Sequence, residues 1–73
     1  MNITFYSTHC PKCKVIETKL KRAALEYTEI NDVAVMLQLG FKVAPVLVVD
    51  DKTMDFTAAN KFLTEVIKSN GGN

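Results

Sequence analysis

Several residue types are scarce in this chain, and each scarcity excludes something. It has no tryptophan, one histidine, two prolines, three glycines and two cysteines in 73 residues. So short a chain holds one domain, in the size range where a single core is marginal without staples, metals or very regular packing. The longest apolar run, Val43 to Val49, contains Pro45 and is far too short to span a membrane. Residues 2–6 are too few for the apolar region of a signal peptide, and no basic segment precedes them, so a cytosolic location is expected. No internal repeat or low-complexity segment is present. A net charge of +1 says little about partners. Neither nucleic acid nor membrane is expected among them, and the chain is expected to act as a monomer.

What is present is ordinary globular material, 48% apolar and 23% charged, so disorder is not the default. Charge is unevenly placed. Lys12, Lys14, Lys19, Lys21 and Arg22 face the single anion Glu17 within one segment, while the rest of the chain is net acidic. That segment reads as a solvated helix face, with a landing surface for an acidic partner as the alternative.

The two cysteines are concentrated in His9-Cys10-Pro11-Lys12-Cys13. In a reducing compartment a close cysteine pair is more often catalytic or metal-binding than structural. A bridge across so short a loop would remove only about 2 kcal/mol of unfolded-state freedom. Asn2 to Tyr6 predicts a short buried strand, and Ser7-Thr8-His9 a loop. From Pro11 the period changes: Cys13, Ile16, Leu20, Ala23, Ala24 and Tyr27 recur at helical steps, and Pro11 suits the first turn. Tyr27 to Asn31 alternates like an edge strand. Asp32 is a candidate cap for a helix over Val33 to Leu39, closed by Gly40.

Val46 to Val49 predicts a third strand, begun by Pro45. Asp50-Asp51-Lys52 makes a tight connection to a returning strand, Thr53 to Phe56. Thr57 is a plausible N-cap for a last helix whose stripe is Ala58/Ala59, Phe62/Leu63 and Val66/Ile67. Asn70-Gly-Gly-Asn reads as a flexible tail. The order β-α-β-α-β-β-α predicts an α/β fold, a mixed four-stranded sheet flanked by three helices, with the first two strands parallel and the last two a hairpin.

Chemistry concentrates at Cys10. A sulfur just before a helix meets unpaired N–H groups and the positive end of the helix dipole, which favour the thiolate, the reactive form. Lys12 and a charged His9 act in the same direction, although each is more simply a surface residue tuning the local field. Cys13, in register with Ile16 and Leu20, is expected to be more buried and less ionised. Cys10 would then attack and Cys13 resolve. Metal or iron–sulfur carriage is the alternative. His9, Cys10 and Cys13 provide at most three ligands, so such a site would be completed by a second chain or another ligand, with Cys10 bridging a dimer. A scaffold domain that keeps the fold without the activity is a third possibility.

Tyr6-Ser-Thr-His-Cys-Pro-Lys-Cys, followed by Val43-Ala-Pro-Val-Leu, a hairpin and a closing helix, resembles the glutaredoxin-like branch of the thioredoxin superfamily over nearly the whole chain. The resemblance implies a thioredoxin-like fold and a dithiol oxidoreductase with no bound cofactor. It also implies a cis bond before Pro45 and a substrate lying along Ala44 like an added strand. The resemblance thus places substrate at Ala44 and Pro45; the residues themselves add His9, Pro11 and Lys12 around the cysteines and Thr57, whose helix N-terminus could hold a carboxylate, as further substrate-side candidates. Reducing equivalents would come from glutathione or an NADPH-dependent flavoprotein of the thioredoxin-reductase type, and the partners would be disulfide-containing proteins, ribonucleotide reductase being one such client. Three departures point away from specific glutathione binding. Ser7 stands where a basic residue is usual, Lys12 where tyrosine is common, and Phe56-Thr57-Ala58-Ala59 where Gly-Gly and an acidic residue are usual. The tryptophan-containing motif of the redoxins that serve ribonucleotide reductase is also absent.

Overall fold

A computed structural model describes residues 2–69. The expected tail, residues 70–73, lies outside the described residues. The elements are β1 (Ile3–Tyr6), α1 (Pro11–Arg22), β2 (Thr28–Ile30), α2 (Val33–Gln38), β3 (Val46–Val49), β4 (Lys52–Met54) and α3 (Phe56–Ser69). The strands form one sheet in the order β2-β1-β3-β4. β1 runs parallel to β2 and antiparallel to β3, and β3 pairs antiparallel with β4. The architecture is therefore α/β, with a mixed, open four-stranded sheet and three helices.

Alternation along the strands decides where the helices go. Ile3 and Phe5 face the same side as their cross-strand partners Val49 and Leu47. There they join Ile16 and Leu20 of α1 and Ala59 and Leu63 of α3 in one core. Phe5, Ile16, Leu20, Leu47 and Leu63 are wholly buried, so replacing one of these leucines by alanine costs about 2–5 kcal/mol. Tyr6 belongs to the opposite face, where its ring meets Phe41, just after α2, at 5.0 Å. Among the described residues no helix is long and apolar enough to cross a membrane.

Several boundaries differ from expectation: β1 starts at Ile3 rather than Asn2, α2 ends at Gln38 with Leu39 as its C-cap, and the larger differences have local reasons. α1 stops at Arg22 instead of continuing towards Tyr27. Ala24 takes φ +57°, its N–H bonds Lys21 O at 3.1 Å, and the N–H of Leu25 reaches back to Leu20 O at 3.3 Å. Those two bonds close the helix in the Schellman manner, with alanine where glycine is usual. Tyr27 instead packs edge-on against Phe5, with ring centroids 5.9 Å apart. The second strand is correspondingly shorter, Thr28–Ile30 rather than Tyr27 to Asn31.

The hairpin is also tighter than expected. Val49 pairs with Lys52, so only Asp50 and Asp51 turn, and β4 ends at Met54 rather than Phe56. Asp50 accepts φ +54°, as Asp tolerates, and exchanges bonds with Asn2 at 2.7 and 3.0 Å. Finally, Thr57 is not the cap of α3. Asp55 holds that place, its carboxylate accepting from Ala58 N at 2.9 Å, and Thr57 lies exposed in the first turn.

Candidate active site

The site begins where β1 hands the chain to α1. Ser7 is buried, its N–H bonds Ile30 O at 3.0 Å, and its carbonyl accepts from Asn31 Nδ2 at 3.0 Å. Its hydroxyl accepts from the N–H of His9 at 3.0 Å. That bond holds His9 at φ +61°, a left-handed conformation in which histidine is more often found than bulkier residues. The chain is thereby turned so that Cys10 enters as the N-cap of α1 and Pro11 as its first residue. Pro11 lacks an N–H that would have had no partner there.

Cys10 is extended, at φ −71° and ψ 166°, and its Sγ accepts from the N–H of Cys13 at 3.2 Å. The sulfur thus occupies the position that a serine or aspartate oxygen fills in most helices. No acidic residue competes with it in the first turn. On its other side, Cys10 Sγ lies 3.9 Å from Ala44 O. Cys13 is wholly buried, one turn further on, with its Sγ 3.9 Å from Thr8 Oγ1. Both thiols are free.

The Cys13 thiol is drawn below its ordinary value of 9.0, not left less ionised. Burial is the largest single influence and pushes it up. Hydrogen bonding with the Cys10 side chain, then the Thr8 backbone, the Ser7 side chain and the Cys10 backbone, outweighs it. What distinguishes the cysteines is access: Cys10 is half-buried and Cys13 is closed to solvent.

The bond between Ala44 and Pro45 is cis, and Pro45 is wholly buried. Lys12, Ala44, Pro45, Asp55, Phe56 and Thr57 line one open groove together with Val43, so one cation and one carboxylate share it. Four of the positions singled out in the sequence are thus brought together there: Lys12, Ala44, Pro45 and Thr57. Lys12 Nζ lies over the Phe56 ring, 5.3 Å from its centroid. Pro11 and His9 are exposed, and His9 contributes through its backbone N–H. Among the described residues no three His, Cys, Asp or Glu side chains come together as a metal-ligand set.

Ser7, Thr8, Asp55 and Phe56 escaped the sequence reading as site-building residues. The signals were weak but present: a Ser two residues before a turn, and an aspartate three residues before Ala58 in a helical stripe. A second hollow was missed altogether. It lies on the other side of Ala44, lined by Thr8, Val33, Met36, Leu37, Phe41 and Val43. Val33, Leu37 and Val43 are 54%, 63% and 66% exposed there, which leaves an apolar rim beside the cysteines. No family model matches this chain, and no curated protein matches it in sequence.

Proposed function

We propose that the chain is a small dithiol thiol–disulfide oxidoreductase with a thioredoxin-like fold of the glutaredoxin-like kind. The observation that carries this reading is the pair of free thiols at the head of α1, with Cys10 Sγ accepting the Cys13 N–H and lying against the Ala44 carbonyl. A helix N-terminus is where a sulfur anion is best solvated by backbone N–H groups.

The half-buried but accessible Cys10, as thiolate, attacks one sulfur of a substrate disulfide. A bond forms between Cys10 Sγ and that sulfur, and the other substrate sulfur leaves as a thiolate that takes up a proton. Cys13, as thiolate, then attacks Cys10 Sγ, forming the Cys10–Cys13 disulfide and expelling the second substrate thiolate. Two electrons and two protons have passed to the substrate. The lowered pKa of Cys13 suits this second step, since it eases loss of the thiol proton inside the core. An extended substrate segment lies along Val43 and Ala44, with Lys12, Pro45 and Thr57 forming the groove wall. Glutathione or an NADPH-dependent flavoprotein reductase returns the disulfide to the dithiol.

A coupled assay tests this directly. NADPH consumption is followed with a disulfide-bonded protein substrate, using glutathione with its reductase in one arm and a thioredoxin-reductase-type flavoprotein in the other. The expected result is turnover with one of the two systems and none for Cys10→Ser. Absence of turnover with both, or full activity in Cys10→Ser, refutes the reading.

A further inference from the structure

Lys12, Val15, Lys19 and Arg22 recur at steps of three and four residues, so they share one stripe of α1. Three contacts place that stripe along the seam with α3. Lys12 lies over Phe56, Lys19 Nζ bonds Asn60 Oδ1 and, at 2.9 Å, Thr64 Oγ1, and Lys19, Arg22, Thr64, Ile67 and Lys68 line one surface hollow. The oxygens that Lys19 meets are neutral. Glu17 is the only carboxylate of α1, and it pairs with Lys21 at 3.8 Å, away from this stripe. Lys12, Lys19, Arg22 and Lys68 therefore form a positive strip that starts beside the cysteines and runs down the seam.

We infer that this strip binds an acidic segment of the protein substrate, adjacent in sequence to the cysteine whose disulfide Cys10 attacks. The inference rests on the proposed redox reading and adds the substrate class. Charge complementarity identifies the occupant. Removing the four strip cations from the nine basic residues leaves five against eight acidic ones, so the rest of the surface is negative. A short acidic segment confined to the seam is attracted by it. Lys12 and Arg22 are ten residues apart on a helix, which is about 15 Å. An extended peptide covers that in about five residues. The acidic residues are therefore expected within about five positions of the substrate cysteine, on one side of it.

The test uses the full chain and two synthetic peptides, each with one cysteine in mixed disulfide with mercaptoethanol. One has a tail of four Asp and Glu residues next to the cysteine, the other the matching Asn and Gln residues. At low salt the acidic peptide should react about tenfold faster, as steered association does, and the advantage should vanish at about 0.5 M salt, where charges are screened. Arg22→Glu with Lys68→Glu should remove the advantage while leaving the rate on the neutral peptide unchanged. Equal rates for the two peptides, or an advantage that survives the charge reversal, overturns the inference. So does a short oligonucleotide that binds the strip in fluorescence anisotropy when the acidic tail does not. A cysteine-free acidic peptide separates the two levels. If neither disulfide is reduced but this peptide binds, and the charge reversal abolishes binding, the strip stands and the redox reading falls.

Discussion

α1 and α2 are built with the same end geometry and different residues. α2 begins on Asp32, whose carboxylate accepts from Ala34 N at 2.9 Å, and ends on Gly40 at φ +85°. α1 begins on Cys10, whose sulfur accepts from Cys13 N at 3.2 Å, and ends on Ala24 at φ +57°. At both C-termini the closing bonds run in the Schellman pattern, from Gly40 to Leu37 and Phe41 to Met36 in α2, and from Ala24 to Lys21 and Leu25 to Leu20 in α1. α2 thus uses residues chosen for helix ends. At its N-terminus α1 carries a sulfur in place of the better oxygen cap, a choice that the proposed redox role would explain. Nothing in the structure explains alanine at position 24.

The difference can be broken by giving α1 the cap that α2 has. Cys10→Asp should reduce disulfide turnover to background and at the same time raise the unfolding free energy in urea titration slightly, by a few tenths to about 1 kcal/mol. A loss of stability in that variant would mean the cap position is tuned to sulfur for packing. The reverse change sharpens the comparison. Asp32→Ala should cost about 1 kcal/mol in chemical denaturation and leave the reactivity of Cys10 untouched.

The C-termini offer a smaller, paired test. No heavy atom lies within 4 Å of where a Gly40 Cβ would sit, so Gly40→Ala is penalised by backbone conformation alone, about 1 kcal/mol. Ala24→Gly relieves the same conformation in α1 and should stabilise by about 0.5–1 kcal/mol, the remainder being offset by the added freedom of glycine in the unfolded chain. Equal stability of the two variants and the parent would show that neither turn is under strain.

The smallest effect is in the pH dependence of the reduced protein. Cys13 is an acid whose folded value is lowered, so its contribution is fully present above the unfolded value of 9.0 and is lost as pH falls through the folded value. Stability should therefore rise with pH towards 9 and then level. Tyr27 acts oppositely. Burial, then Glu17 and Glu29, hold its hydroxyl above 10.0, so stability declines once pH passes 10. The double variant Cys10→Ser/Cys13→Ser should lack the rise and keep the decline, as followed by urea titrations across this range.

Much of this molecule was legible in its sequence because periodicity and composition agreed. The switch from the Asn2–Tyr6 run to the three- and four-residue steps after Pro11 located β1, α1 and the cysteines between them, and Gly40 announced the end of α2. The unread parts lacked their customary residues. Ala24 closes a helix without glycine, so the apolar period seemed to continue to Tyr27. Asp55 lies in a run that alternates like a strand, which leaves Thr57 as the next capping type, although aspartate caps at least as well; the bond from Ala58 N to the Asp55 carboxylate decides between them. At the site, Cys10 and Cys13 were evident. The hydrogen bonds that lower Cys13 depend on Thr8 and Ser7 folding back over it, a tertiary arrangement that spacing alone does not encode.

The central claim is that access, rather than acidity, assigns attack to Cys10 and resolution to Cys13. It is tested by mixing each reduced single-cysteine variant, Cys10→Ser and Cys13→Ser, with a disulfide-bonded peptide and following the mixed disulfide by intact mass. The account predicts that Cys13→Ser accumulates one peptide per chain on Cys10 while Cys10→Ser remains unmodified on the same timescale. Equal or faster adduct formation on Cys13 would contradict it.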